Sequence, residues 1–209
     1  MPKVVDPEAR RDAVVEAVFA VVRRDGLEQA SLRNVAEEAG LAIGSIRHYF
    51  AGHTELMVFA MRAMSERLTR RLEQRAEPLL SDPPPANRQE ATLLLLAELL
   101  PLDEPRREEA TVWLAFATAA RTRPELRPHA AEVHDGMRRL VTRVFDGGHR
   151  LGRLPAGTDV ALEVERLCAL LDGLTVEAIL HPDRIDDTTL LRVLRRHLES
   201  LTACAPPIP

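Results

Sequence analysis

A chain of 209 residues, 45% hydrophobic and 29% charged with only 10 glycines, can bury a sizeable core, and its composition excludes the disordered and collagen-like classes. Its formal net charge of -4 excludes a protein that coats nucleic acid or membrane by bulk basicity. Residues 1–78 hold 12 Lys/Arg against 12 Asp/Glu, so any contact with nucleic acid has to come from local placement of charge.

The helical period begins early. Val14, Ala17, Val18, Val21 and Val22 recur at i, i+3, i+4, i+7 and i+8, which predicts a core-facing helix stopped at Gly26. Ser31 caps a short helix through Ala39, Gly40 breaks it, and a second short helix is predicted from about Ile43 to Phe50. A longer helix, with Met57, Met61, Met64, Leu68 and Leu72 at helical spacing, covers about Thr54 to Glu77. Pro83, Pro84 and Pro85 mark a loop, read as a linker ahead of a polyproline ligand.

Beyond the prolines, apolar helical runs fall at about 87–100, 106–122, 125–146, 158–181 and 187–203. Pro105, Pro124, Gly147 with Gly148, and Pro182 punctuate them. No alternating strand pattern of useful length and no internal repeat is visible, so the expected fold is all-α. Cys168 and Cys204 sit in or beside apolar helical patterns without metal-ligand spacing, which fits buried thiols in a reducing compartment. No charged stretch followed by an apolar run opens the sequence, and no run reaches the roughly 18 apolar residues of a membrane span, so a cytoplasmic protein is expected.

The segment from Ser31 to Phe50, SLRNVAEEAGLAIGSIRHYF, has the spacing of a helix-turn-helix. Small Ala36 lets the second helix approach, Gly40 supplies a left-handed turn, and Ile46 packs back between the two helices. A generic helical hairpin meets the same three constraints, so the rest of the segment has to decide.

Ser31-Leu-Arg-Asn-Val-Ala, Ala39-Gly40, Gly44-Ser45-Ile46 and His48-Tyr49-Phe50 with Glu55-Leu56 closely resemble the N-terminal signature of the TetR/AcrR family of bacterial regulators. That likeness covers about residues 10–57. The helical remainder is similar to the family's ligand-binding and dimerisation domain in architecture and length, and Leu171-Asp-Gly-Leu with His181-Pro-Asp also resembles such domains. The resemblance implies a three-helix DNA-binding domain over 1–53 and a helical effector-binding and dimerisation domain over 54–209.

A recognition helix entering the major groove by its N-terminus puts early side chains at base edges, and its opening amides, with Gly44 the least bulky residue there, near phosphates. Arg47 is the only formally charged side chain between residues 39 and 54 and is the first candidate for a base contact, against the alternative of a solvated helix charge. By resemblance, His48 and Tyr49 face phosphates or bases, and Ser45 belongs to the same surface. Ser31, Arg33, His53 and Thr54 are expected at backbone phosphates, although Ser31 and Thr54 also read as helix caps and Tyr49 as partly packed core. Ile46 and Phe50 are assigned to core. Ala42 stands where the family commonly has a hydroxyl and His53 where it commonly has a lysine, each weakening one phosphate contact.

The run Thr111–Ala120 is apolar around nearly its whole circumference and should be buried on all sides. Trp113, Phe116 and Ala117, with Met137 and Val141 on the next helix, are candidates for lining an apolar effector pocket anchored by Arg121 or His134; plain core packing explains the same apolar residues. With aromatics at 3%, an aromatic cage for a quaternary ammonium is not expected. The last two helices carry apolar stripes, and the resemblance implies that Val164, Leu167, Leu171, Leu174, Ala178, Leu191, Leu194 and Leu198 pair with their symmetry mates in a four-helix homodimer interface. Two-fold symmetry then implies a palindromic operator.

Catalysis has little to stand on, because no phosphate loop, HExxH motif, nucleophile elbow or cysteine framework occurs. Glu125, His129 and Glu132 share a helix face that a metal could use, but a solvated or salt-bridged face is the commoner outcome, so no metal or cofactor is assigned. The sequence therefore reads as a ligand-responsive regulator, a repressor ahead of an activator, since a dimer bound near a promoter excludes polymerase.

Overall fold

A computed structural model describes residues 7–202; Cys204, expected as a second buried thiol, lies outside the described residues. In chain order the helices are α1 (Pro7–Asp25), α2 (Leu32–Glu38), α3 (Ile43–Tyr49), α4 (His53–Leu80), α5 (Arg88–Ala97), α6 (Glu104–Ala120), α7 (Arg127–Arg150), α8 (Val160–Leu180) and α9 (Asp187–Thr202). Single 3-10 turns lie at Leu27–Gln29 and Pro124–Leu126, and no strand occurs among the described residues, so the protein is all-α.

The helix ends follow from local chemistry. After α2, Gly40 adopts φ +63°, its N–H donates to the Glu37 carbonyl (3.1 Å) and the Leu41 N–H to the Ala36 carbonyl (2.8 Å), closing a left-handed C-cap. The same device ends α7 at Gly152 (φ +63°), where Arg153 N–H donates to Gly148 at 2.9 Å. The predicted stop at Gly147 and Gly148 therefore falls inside the helix. Neither glycine takes the left-handed conformation that ends a helix, and a Cβ added at Gly148 would meet Leu154 Cγ at an ordinary contact distance of 3.6 Å. In α4, Pro78 is tolerated in the last turn, where its missing N–H costs one bond near a frayed end.

The chain divides into two compact units. The first holds the described residues up to Arg67 together with Glu108–Ala131, and the second holds Leu68–Arg107 and the described residues from Glu132 onward. These units do not coincide with a division at residue 53, since the boundaries fall within α4, α6 and α7. In the first unit α1 packs on α2 and α2 on α3. Val15, Val18, Val21, Ile46, Leu56 and Phe116 are among its buried side chains.

The second unit is built around one core in which Leu93, Leu96 and Leu100 meet Val141 and Phe145 of α7 and the inner faces of α8 and α9. Val164, Leu167, Leu171, Leu174, Ala178, Leu194 and Leu198 all lie in that core, and Leu191 is packed against it. This corrects the expectation that this set forms a dimer interface: the seven core residues are buried within their own chain and have no surface for a partner, and Leu191 alone is half-buried. α8 carries a second apolar stripe, and there Leu162, Val176 and Leu180 are 62%, 36% and 62% exposed. Cys168 is buried in the same core, and burial pushes its thiol up.

Candidate nucleic-acid interface

The helix-turn-helix is assembled by short-range bonds. Ser31 is the N-cap of α2 and its Oγ accepts from Asn34 N–H at 3.2 Å, while the Asn34 amide donates to the Gln29 carbonyl at 2.8 Å and fixes how the chain enters. Val35 and Ala36 on α2 and Ile46 on α3 are buried, as a packed helix pair requires. Ala42 stands at the N-cap of α3 without a side-chain bond, so the hydroxyl missing there also forgoes a cap worth about 1 kcal/mol. At the far end Glu55 reaches back to accept from Ala51 N–H at 2.6 Å, and the Phe50 ring lies 5.0 Å from that of Phe59.

What α3 turns outward is Gly44, Arg47, His48 and Tyr49, with Ser45 half-buried beside them. Tyr49 is 56% exposed, which excludes the packed-core reading, and its ring meets that of His48 edge-on at 5.3 Å. A Cβ added at Gly44 would meet nothing within 4 Å, and its backbone is not left-handed. Nothing among the described residues therefore requires a glycine there. Arg33 is exposed in the first turn of α2, and Thr54 is half-buried in the first turn of α4.

His53 is placed differently from expectation. Its Nε2 lies 3.1 Å from the Leu27 carbonyl, which only an N–H can satisfy, and its Nδ1 then accepts from Nη1 of Arg123 at 3.4 Å. With both ring nitrogens engaged inside the protein, His53 has none left for a phosphate.

The expected effector-pocket residues separate into two sets. In the first unit Phe116 is fully buried, Trp113 and Ala117 are half-buried, and Arg121 is exposed at the end of α6. In the second unit Val141 lies in the core and half-buried Met137 packs against it, while His134 is exposed and acts electrostatically on Asp172, whose carboxyl local desolvation holds above its ordinary value. Arg121 and His134 are thus not buried anchors: one ends a helix and the other lies on the solvent side of α7.

Several polar clusters escape sequence reasoning because their partners lie far apart in the chain. Arg123 donates from Nη2 to both oxygens of Glu28, at 2.6 and 2.5 Å. Glu98, only 7% exposed, is surrounded by Arg71, Arg75 and Arg106 at 3.3, 2.8 and 3.4 Å. Arg107 donates to Asp187 at 2.8 and 3.3 Å. Helical spacing governs neighbours three or four residues apart and carries no signal for such pairs.

Among the described residues no group of three His, Cys, Asp or Glu side chains could hold a metal, and no helix is long and apolar enough to cross a membrane. The model of the BetI-type transcriptional repressor C-terminal domain matches residues 88–203. The HTH-type transcriptional regulator PksA of Bacillus subtilis (strain 168) is 37% identical over 202 residues, covering 96% of this chain and 94% of that one. A transcriptional regulator from Rhodococcus sp. Rha1 superposes with a TM-score of 0.78 at 30% identity, over 95% of this chain and 99% of the other. The multidrug binding protein EbrR, solved with imidazole, is 32% identical with a TM-score of 0.59 and 98% coverage of both chains. The chain belongs to the TetR family of helix-turn-helix transcriptional regulators, with a BetI-type C-terminal domain, and is a regulator and not an enzyme.

Proposed function

We propose that the protein represses transcription in the cytoplasm by binding a palindromic operator as a homodimer, and that a small-molecule effector releases it. One observation carries the DNA contact: an outward face of α3 made of Gly44, Ser45, Arg47, His48 and Tyr49, with a glycine that no internal contact demands. A bare Cα there allows a DNA backbone to approach closely. Arg47 is the candidate for guanine, and Ser31, Arg33 and Thr54 are candidates for phosphates that set the register.

The homodimer is proposed to use the outer stripe of α8. At 3.6 residues per turn, Leu162, Ala169, Gly173, Val176 and Leu180 fall within about 40° of one line, opposite the stripe committed to the core. Paired charges border it on both sides: Arg138 with Glu165, and Arg166 with Glu163. An apolar strip with small residues at its centre and a charged rim suits a two-fold pairing of helices. The likeness to EbrR supports a small-molecule effector, for which Trp113 and Ala117 remain the candidate contacts. Such a ligand has only to change the spacing of the two DNA-reading heads.

The test is a salt-series titration of DNA from the upstream intergenic region of the protein's own gene, beside scrambled DNA and an Arg47→Ala variant. Tight, sequence-selective binding that the variant loses is expected. Equal weak binding to both DNAs, with no site found by genome-wide selection either, would end the repressor reading.

A further inference from the structure

The helix-turn-helix occupies residues 31–50, and one side chain from elsewhere in the first unit holds the chain on both sides of it. Arg123 lies in the turn between α6 and α7. Its Nη2 donates to both oxygens of Glu28, three residues before the N-cap of α2, and its Nη1 donates to Nδ1 of His53, the first residue of α4. His53 in turn donates from Nε2 to the Leu27 carbonyl at 3.1 Å. Guanidinium, imidazole, carboxylate and backbone form a closed ring joining entry to exit.

The platform that presents Arg123 is itself fixed. Arg123 N–H donates to Ala119 at 3.0 Å, and Arg127 donates to the carbonyls of Ala120 and Arg121 at 3.3 and 2.9 Å. Pro124 follows, which restricts Arg123 to the extended backbone it adopts (φ -113°, ψ 98°). A planar donor fork on a rigid turn suits a fixed angle better than a flexible ammonium would.

We propose that Arg123 is a positioning residue for DNA binding: by gripping Glu28 and His53 it sets the orientation of the DNA-reading head without touching DNA. Its charge is neutralised by Glu28, so it releases no counterion from a duplex. Its effect has to act through geometry. A head free to rotate reads one half-site as well as before but meets the second in a wider range of orientations. This rests on the DNA-binding reading above.

The experiment uses the full chain and a duplex that the wild-type protein selects from a random pool, together with derivatives carrying a single base pair inserted or removed at the centre. Arg123→Ala is expected to lower affinity for the selected duplex about tenfold, leave the salt slope unchanged, and bring the penalty for altered spacing to within about twofold of none. Glu28→Gln is expected to do the same, and the double variant to be no weaker than either single one. A merely structural role would lower the melting temperature without relaxing spacing discrimination, and Glu28→Gln carries the same test if Arg123→Ala fails to fold. Wild-type affinity and spacing discrimination in the variants, additive losses, or a slope lower by about one would each overturn the proposal, the last by making Arg123 a phosphate contact. If the wild-type protein selects no duplex, the DNA-binding reading falls and takes this one with it; if it selects one that Arg123→Ala binds identically, only the positioning role falls.

Discussion

Nη2 of Arg166 lies 3.3 Å from Nδ1 of His197, so a guanidinium on α8 holds an imidazole on α9 as an acceptor. The same nitrogen donates to Ser200 at 3.3 Å, and Nη1 donates to Glu163 at 3.1 Å. The Nε2 of His197 is buried and finds no partner among the described residues. Burial first and the Arg166 charge second hold the imidazole below its ordinary value, with Glu163 opposing.

Because the folded value is lowered, the unfolded chain takes up a proton at a pH where the folded chain does not. The stability supplied by neutral His197 is therefore complete above the ordinary value of 6.5 and is lost as pH falls below it. Urea unfolding is expected to give a lower midpoint at about pH 5.5 than at about pH 7.5, and His197→Asn, which keeps an acceptor for Arg166, should shrink the difference. An unchanged difference in the variant would assign the pH dependence to other groups.

Gly44 offers a separation of folding from function. An added methyl group meets nothing within 4 Å, and alanine favours a helix over glycine by roughly 0.5–1 kcal/mol. Gly44→Ala should therefore unfold at the same or a slightly higher temperature, yet lose several-fold in affinity for a selected duplex, because the methyl enters the space a phosphate backbone needs. Undiminished DNA binding would remove the close approach from the argument.

The legible parts of this protein are those written in short-range chemistry. Gly40, Ala36 and Ile46 could be assigned from spacing because each acts on neighbours within a few residues, and their structural roles are the expected ones. His53 could not, because its partners Leu27 and Arg123 lie 26 and 70 residues away. The apolar period on α8 was visible, but a helix with two apolar stripes does not say which one its own chain covers; only α5, α7 and α9 decide that Leu167 and Leu171 are inside and Leu162 outside. Gly147 and Gly148 suggest the end of α7 by residue type alone, whereas the glycine that closes the helix is Gly152, with its positive φ.

Glu98 gives a stability prediction. Its buried carboxylate faces Arg71 and Arg75 from α4 and Arg106 from α6, and Arg106 also bonds Asp103 and the Ala97 carbonyl. Glu98→Gln keeps the shape and leaves guanidinium charge there without its counterion, which should cost about 2 kcal/mol or more in chemical denaturation. A loss within a few tenths of a kcal/mol would mean that solvent already screens the cluster.

The two stripes of α8 make opposite predictions. Leu162, Val176 and Leu180 are exposed on one chain, so Val176→Glu combined with Leu180→Glu should leave helicity and unfolding of the isolated chain nearly unchanged. If the stripe is the dimer face, each copy buries its glutamates against an apolar mate, and the association should fail. Sedimentation would then report a 23.3 kDa monomer in place of a dimer, and affinity for a palindromic duplex would fall as the second half-site is lost. Leu171→Ala should do the reverse: its side chain is 1% exposed in the core, so removal costs about 2–5 kcal/mol of stability while the outer stripe stays intact. A wild-type monomer would end the homodimer reading, whereas a dimer that survives both glutamates would move the self-association face away from this stripe, and α9 would be the next helix to substitute, at Val193 and Ser200.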